Sequence, residues 1–125
     1  MKTRILIVDD FKIFRDGLKM LINREDDFEV VGEAEDGQQA IELARHLHPD
    51  VILMDVKMKD MDGFETTYNI LSEMPHMKIL ALSMSTDSGF IKGMVQAGCV
   101  EYLAKDCESK ELFEAIRKAA GSSNR

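Results

Sequence analysis

The sequence predicts an α/β fold in which a parallel β-sheet lies between two layers of helices. Short apolar runs alternate five times with segments in which apolar residues recur at helical spacing, which is the pattern of consecutive βα units. Right-handed crossovers between parallel strands place helices on both faces of the sheet. The chain has 125 residues, 45% of them hydrophobic, which is enough for one such domain and its core.

The predicted strands differ in the burial that their composition indicates. Residues 51–54 are apolar throughout, which is typical of a strand at the centre of a parallel sheet. Residues 29–33 are polar at both ends and suit an edge strand. The predicted strands are residues 4–9, 29–33, 51–55, 78–82 and 100–104.

Helices are predicted between and after these strands, each with one apolar face towards the sheet. The apolar stripes are Ile13, Gly17, Leu18, Leu21 and Ile22; Ala40, Ile41, Ala44 and Leu47; Phe64, Ile70, Leu71 and Met74; Phe90, Ile91, Met94 and Val95; and Leu112, Phe113 and Ile116. The fourth helix should begin near Thr86 or Asp87, and the fifth at Ser109. Gly98 and Gly121 are expected to end these two helices.

Composition and charge limit the possible functions. A net charge of −7 argues against direct binding to nucleic acid or to an anionic membrane, because phosphate contacts need clustered Lys and Arg. The sequence has neither an apolar stretch of transmembrane length nor a signal peptide, so we expect a cytoplasmic protein without membrane contact. Cys99 and Cys107 lack metal-ligand spacing and are expected to be reduced thiols. Residues 1–120 should form the domain, with residues 121–125 as a tail or the start of a linker.

Charged residues stand where the apolar strands end. Asp9 and Asp10 follow the first predicted strand. Asp55 ends the third strand, and Lys105 follows the fifth. A single aspartate in such a place often only caps a helix or forms a turn, but here charged residues recur at three strand ends. In a parallel sheet these ends meet at the ligand-binding edge, where clustered carboxylates need a cation, and hard oxygen ligands suit Mg²⁺.

This set of residues is sufficient for phosphoryl chemistry. A carboxylate can attack phosphorus and form an aspartyl phosphate, and Asp55 is the central candidate for that nucleophile. Asp9 and Asp10 would hold Mg²⁺, and Lys105 would face the new negative charge. Ser83, which follows the fourth strand, offers a hydroxyl to a phosphoryl oxygen. Phosphoryl transfer needs mainly positioning and charge neutralisation, which these groups supply.

Seven segments of the chain carry a resemblance to a known family. They are Ile5-Leu6-Ile7-Val8-Asp9-Asp10, Asp36-Gly37, Pro49-Asp50-Val51-Ile52-Leu53-Met54-Asp55, Met61-Asp62-Gly63, Ala81-Leu82-Ser83, Ala97-Gly98 and Tyr102-Leu103-Ala104-Lys105. Over essentially its whole length the chain resembles the receiver domain of two-component response regulators, the CheY-like family. Three further segments resemble its NarL/FixJ branch: Val31-Gly32-Glu33-Ala34, Leu80-Ala81-Leu82-Ser83-Met84 and Lys105-Asp106.

The resemblance implies a fold and a metal site. The fold would be a (βα)5 doubly wound, flavodoxin-like sandwich with a five-stranded parallel sheet of order 2-1-3-4-5 and helices on both faces. Asp55 would be phosphorylated by a sensor histidine kinase. Mg²⁺ would be held by the side chains of Asp10 and Asp55 and by the backbone carbonyl of Lys57, with Asp9 acting through a metal-bound water.

The resemblance also implies a switch. Ser83 would move towards the phosphoryl group and Tyr102 would turn inward, which would reshape the surface of the fourth helix, fifth strand and fifth helix. Lys57 and Ser85 each lie two residues beyond a site residue, where a side chain can overhang the phosphoryl group, so we expect both to modulate the rate of dephosphorylation. Receivers of this branch usually precede a helix-turn-helix domain, so transcription would be controlled through a DNA-binding domain that is not in this chain. Phosphorylation would promote either a homodimer or the release of an attached domain.

Two competing classes of function remain. An Mg²⁺-dependent phosphatase of the haloacid-dehalogenase type has Asp-x-Asp at its first strand, whereas this chain has adjacent Asp9 and Asp10 and no segment suited to a substrate cap. A receiver-like docking module that works without phosphate would have no use for the combined acidic, hydroxyl and lysine residues. Partner binding that is unchanged by Asp55→Asn would favour the docking module.

Overall fold

The computed structural model describes residues 2–58, 61–84 and 87–122. Strands and helices alternate along the chain, as the sequence predicts. The elements are β1 (Thr3–Val8), α1 (Lys12–Ile22), β2 (Phe28–Ala34), α2 (Gly37–Leu47), β3 (Val51–Asp55), α3 (Gly63–Glu73), β4 (Lys78–Ser83), α4 (Ser88–Ala97), β5 (Glu101–Ala104) and α5 (Ser109–Ser122). In the described part of the chain, no helix is long and apolar enough to span a membrane.

The sheet is parallel and has the strand order β2-β1-β3-β4-β5, which confirms the predicted order. The strand β3, which is apolar up to its last residue Asp55, lies at the centre, and the mixed β2 lies at one edge. Register places Val8 beside Met54, so β1 and β3 end at nearly the same level. Polar residues at these two strand ends therefore lie side by side.

Two apolar cores lie on opposite faces of the sheet, because successive strand residues point to opposite sides. In β1, Ile5 and Ile7 pack with α1 and α5, whereas Leu6 and Val8 pack with α2, α3 and α4. Both cores contain residues of the central strands, as expected for a sheet covered on both faces. This arrangement confirms the doubly wound (βα)5 fold.

Three positions of the predicted apolar stripes are wrong, and one of them is Gly17, which is exposed on α1. Ile13 is 77% exposed, and α1 instead turns Arg15, Leu18 and Ile22 towards the protein. Val95 is 58% exposed on α4. The buried faces of α1 and α4 are narrower than hydrophobicity alone suggests, because a face that lies on a sheet covers only part of the helix circumference.

The helix ends follow the predicted signals, with one exception. Asp87 caps α4 by accepting a hydrogen bond from the N–H of Gly89 at 2.7 Å, and Gly98 ends α4 with a left-handed φ of 112°. Ser109 is the first residue of α5. Gly121 lies within α5 rather than after it, because glycine permits helix termination without requiring it.

Candidate functional site

Three carboxylates meet where β1 and β3 end. Asp9 and Asp10 follow β1, and Asp55 is the last residue of β3. One carboxylate oxygen from each of the three lies within 4.8 Å of the others. Asp9 is only 2% exposed and Asp55 only 7% exposed, so water screens their repulsion weakly. This cluster needs a nearby positive charge.

Lys105 supplies that charge from the chain after β5. Its Nζ lies 2.6 Å from Oδ2 of Asp9 and 3.3 Å from Oδ1 of Asp55. The same ammonium lies 4.6 Å from the centroid of the Phe14 ring, a cation–π distance that fixes it from the side of α1. The lysine thus bridges carboxylates from two different strands.

The balance of these charges sets the proton affinity of Asp55. Its pKa is raised to about 6, first because burial disfavours the charged form and second because Asp9 carries a negative charge beside it. The Lys105 ammonium and a hydrogen bond from the backbone N–H of Lys57 act in the opposite direction. At neutral pH the Asp55 carboxyl is therefore mostly ionised, as a nucleophile must be.

Asp9 is held by contacts that the sequence did not indicate. Its Oδ1 accepts a hydrogen bond from the N–H of Phe11 at 2.8 Å. Its carbonyl oxygen accepts one from Nη1 of Arg15 at 2.5 Å, and Nε of this buried arginine lies 3.3 Å from Oε1 of Glu33. The burial of Arg15 could have been predicted from its spacing in the sequence, because it stands three residues before the buried Leu18 and seven before the buried Ile22.

Ser83 and Tyr102, the two predicted switch residues, lie on adjacent strands. Ser83 ends β4 with its side chain buried, one residue beyond Leu82, the partner of Asp55 in the sheet. Its carbonyl oxygen accepts a hydrogen bond from the N–H of Lys105 at 2.9 Å. Tyr102 on β5 is half-buried against the core formed with α2, α3 and α4. Their movement on phosphorylation stays a prediction.

Lys57 contacts the site through its backbone and α4 through its side chain. Its N–H donates to the Asp55 carboxylate, and its Nζ lies 4.6 Å from the centroid of the Phe90 ring. The sequence did not single out Phe90 as part of the site. Ser85, the other residue predicted to modulate the rate, lies outside the described residues.

The donor set fits the divalent cation that the sequence implies. Asp9, Asp10 and Asp55 offer clustered carboxylate oxygens, the hard ligands that Mg²⁺ prefers. Lys57 is two residues beyond Asp55, and its backbone N–H is hydrogen-bonded to that carboxylate, whereas ligation by its carbonyl oxygen stays a prediction. These residues could hold Mg²⁺. Lys105 supplies a second positive charge, which is part of the protein and contacts Asp9 and Asp55.

Comparison with known sequences identifies the family. The family described as "Response regulator receiver domain" matches residues 5–117. The chain is 38% identical over 119 residues to the transcriptional regulatory protein DegU of Brevibacillus brevis, covering 95% of this chain and 50% of that protein. It is 40% identical over 117 residues to the transcriptional regulatory protein LiaR of Bacillus subtilis, covering 94% of this chain and 56% of that protein. The chain thus spans about half the length of these curated relatives.

Solved structures agree with this assignment. The receiver domain of the response regulator NarL from Mycobacterium tuberculosis superposes with a TM-score of 0.91 at 31% identity, covering 96% of this chain and 97% of that one. A LuxR-family response regulator from Aurantimonas superposes with a TM-score of 0.93 at 33% identity, covering 98% and 87%. The chain therefore belongs to the response regulator receiver family and is a CheY-like domain related to regulators of the NarL and LuxR type.

Proposed function

We propose that this chain accepts a phosphoryl group on Asp55 from a sensor histidine kinase, in a reaction that requires Mg²⁺. The observation that carries the proposal is the buried Lys105 ammonium, which contacts carboxylates from β1 and β3 at 2.6 and 3.3 Å. A purely structural ion pair would need one carboxylate. Here a third, Asp10, stands beside them. The function is that of a switch in the cytoplasm, which catalyses only its own phosphorylation and dephosphorylation.

The residues present account for the chemistry. A carboxylate oxygen of Asp55 forms a bond to phosphorus while the bond from phosphorus to the histidine nitrogen of the kinase breaks. The Lys105 ammonium pairs with the negatively charged oxygens that the phosphoryl group brings beside Asp55. When bound, Mg²⁺ would neutralise the acidic cluster and the phosphoryl oxygens. Asp10, Asp55 and the Lys57 carbonyl would hold it, with Asp9 acting through water.

The consequence of phosphorylation would be a changed binding surface. Ser83 would approach the phosphoryl group and Tyr102 would turn inward, altering the surface formed by α4, β5 and α5. A shift from mostly inactive to mostly active requires that phosphorylation favour one state by roughly 5 kcal/mol. Because the matched relatives are transcriptional regulators about twice as long, we propose that the output is transcription, through a DNA-binding domain outside this chain.

The test is the intact mass of the protein after incubation with Mg²⁺ and acetyl phosphate. We expect one phosphoryl adduct on the wild-type chain and none on Asp55→Asn or after chelation of the metal. Asp50→Asn is a matched control, because Asp50 lies at the opposite end of β3 and caps the N–H of Arg4. An adduct that persists in Asp55→Asn would contradict the assignment of the nucleophile.

Dimerisation on phosphorylation is tested separately. The molar mass in solution, measured by light scattering after size exclusion, should double when Mg²⁺ and a phosphoryl analogue such as beryllofluoride are added. An unchanged mass would remove homodimerisation of this chain from the proposal. A folded protein that binds Mg²⁺ but takes no phosphoryl group from a cognate kinase would instead be a docking module that works without phosphate.

A further inference from the structure

We propose that Phe90 is a positioning residue for the phosphorylation chemistry at Asp55, because its ring holds the Lys57 ammonium and keeps it from the phosphoryl group. The inference rests on the proposed function, since it concerns the lifetime of the aspartyl phosphate. It assigns a role to a residue of α4 that has no contact with the carboxylate cluster among the described contacts.

Lys57 is the link between the two places. Its backbone N–H is hydrogen-bonded to the Asp55 carboxylate, which places its Cα beside the phosphoacceptor. Its side chain leaves in another direction, and its Nζ lies 4.6 Å from the centroid of the Phe90 ring. Within the described residues, Lys57 forms no ion pair with a carboxylate, whereas Asp55 is paired with Lys105. Among the described residues, the partner of the Lys57 ammonium is thus the face of the Phe90 ring.

Phe90 is held firmly enough to act as a platform. Its ring stacks on Phe64 of α3 with centroids 5.9 Å apart and an interplanar angle of 29°. One turn along α4, the Phe64 ring lies so close to Gly93 that a Cβ there would be 3.0 Å from it. The backbone N–H of Phe90 donates to the carbonyl of the capping Asp87 at 3.1 Å. The ring is therefore held by Phe64 of α3, and the backbone that carries it is fixed at the start of α4.

Hydrolysis of the aspartyl phosphate is the step that Lys57 would influence. A water oxygen bonds to phosphorus, the bond from phosphorus to the Asp55 oxygen breaks, and the products are the Asp55 carboxylate and dihydrogen phosphate, which keeps both protons of the water. An ammonium released from the ring would pair with phosphoryl oxygens. It would stabilise the phosphorylated state, and its side chain would cover the approach of water. Phe90 therefore shortens the lifetime of the phosphoryl group by occupying this ammonium.

The first test is the decay of the adduct after removal of the phosphodonor, followed by intact mass. Phe90→Leu should lengthen the lifetime by about two- to fivefold, the factor that corresponds to an exposed cation–π contact. In a Lys57→Met background the same change should have no effect, because no ammonium is left to release. Phe90→Tyr keeps an aromatic face and should restore the wild-type lifetime. Tyr68→Leu is the control for loss of an exposed aromatic ring, because Tyr68 is 64% exposed on α3.

The second test needs neither phosphate nor a variant. In the NMR spectrum of the wild-type protein, the ε protons of Lys57 should resonate upfield of those of the exposed Lys110, because they lie over an aromatic ring. Equal positions would overturn the inference, as would a Phe90→Leu effect of the same size with and without Lys57. Normal adducts with equal lifetimes would overturn the inference alone, whereas a wild-type chain that takes no phosphoryl group would overturn the proposed function as well.

Discussion

At the scale of single residues, Asp55 shows how a functional site opposes stability. Its pKa is raised to about 6 in the folded chain, so between about pH 4 and pH 6 the folded state binds a proton that the unfolded state has lost. The free energy of unfolding therefore falls as the pH rises through this window, and it stays lower above it. The cause is a buried carboxylate beside the negatively charged Asp9.

Replacing this charge should stabilise the protein at neutral pH. We expect Asp55→Asn, without Mg²⁺, to raise the free energy of unfolding at pH 7.5 by on the order of 2 kcal/mol and to have little effect near pH 4. Urea denaturation at both pH values measures the difference. Asp50→Asn, at the exposed residue that precedes β3, provides the control. A gain of equal size at both pH values would contradict the proposed origin in the ionised carboxylate.

Thr66 and Thr67 carry neighbouring buried hydroxyls, and we expect their replacement to change the free energy of unfolding in opposite directions. The hydroxyl of Thr66 donates to the Asp62 carbonyl at 2.9 Å. The hydroxyl of Thr67 has no hydrogen-bond partner among the described residues. Thr67→Val should raise the free energy of unfolding by about 1 kcal/mol because it removes an unsatisfied polar group, and Thr66→Val should lower it by a similar amount. Denaturation of the two variants in parallel tests this, and equal effects would contradict it.

At the scale of elements, the start of α3 is packed directly on the end of β3. The N–H of Gly63 donates to the Val56 carbonyl at 2.7 Å. A Cβ on Gly63 would lie 2.5 Å from the carbonyl oxygen of Asp55 and 2.8 Å from Cα of Val56. Both obstacles are backbone atoms, so relief requires the helix and the strand to separate. The position of Asp55 thus depends on the absence of one side chain in the next helix.

Gly63→Ala should therefore damage both the fold and the site. We expect the free energy of unfolding to fall by about 1–3 kcal/mol, as in other overpacked positions. Affinity for Mg²⁺ should fall as well, because Asp55 is displaced, and calorimetric titration measures this. Gly17→Ala is the matched control: a Cβ there meets nothing within 4 Å on α1, so it should stabilise the helix by about 0.5–1 kcal/mol. Unchanged Mg²⁺ affinity in a folded Gly63→Ala protein would contradict the link.

The helical spacing of apolar residues predicted where the helices lie in the sequence better than it predicted which side of each helix is buried. The apolar Ile13 was expected in the core and is exposed, whereas the charged Arg15 is buried. A hydrophobicity pattern ranks isoleucine above arginine, yet the buried arginine satisfies its charge on the Asp9 carbonyl and on Glu33. This compensation depends on contacts between α1 and the ends of β1 and β2, which no local pattern contains. Burial of a charge can be predicted only once its partners are placed.

At the scale of the whole molecule, the order and direction of the strands made the carboxylate cluster predictable. Asp9, Asp10 and Asp55 stand at equivalent ends of parallel strands, and topology brings such ends together. The contact between Lys57 and Phe90 was not predictable in this way, because it joins a loop to α4 through side-chain conformations. Sequence patterns thus locate groups fixed by backbone register, and they miss groups whose positions depend on packing between helices.

Because carboxylates from two strands meet at one site, Mg²⁺ binding there should stabilise the whole folded domain. An ion that binds only the folded state raises the free energy of unfolding by about 1.4 kcal/mol for each tenfold rise in concentration above the dissociation constant. We expect this slope in thermal or urea unfolding at pH 7.5. Asp10→Asn should shift the onset to higher Mg²⁺ concentration. At pH 5 the Mg²⁺ concentration at which stabilisation begins should be about tenfold higher in the wild-type chain. A carboxyl with a pKa of about 6 is then mostly protonated, and Mg²⁺ must displace the proton. An onset that is the same at pH 5 and pH 7.5 would show that Asp55 is not a ligand, since ligation by this carboxylate requires its ionised form.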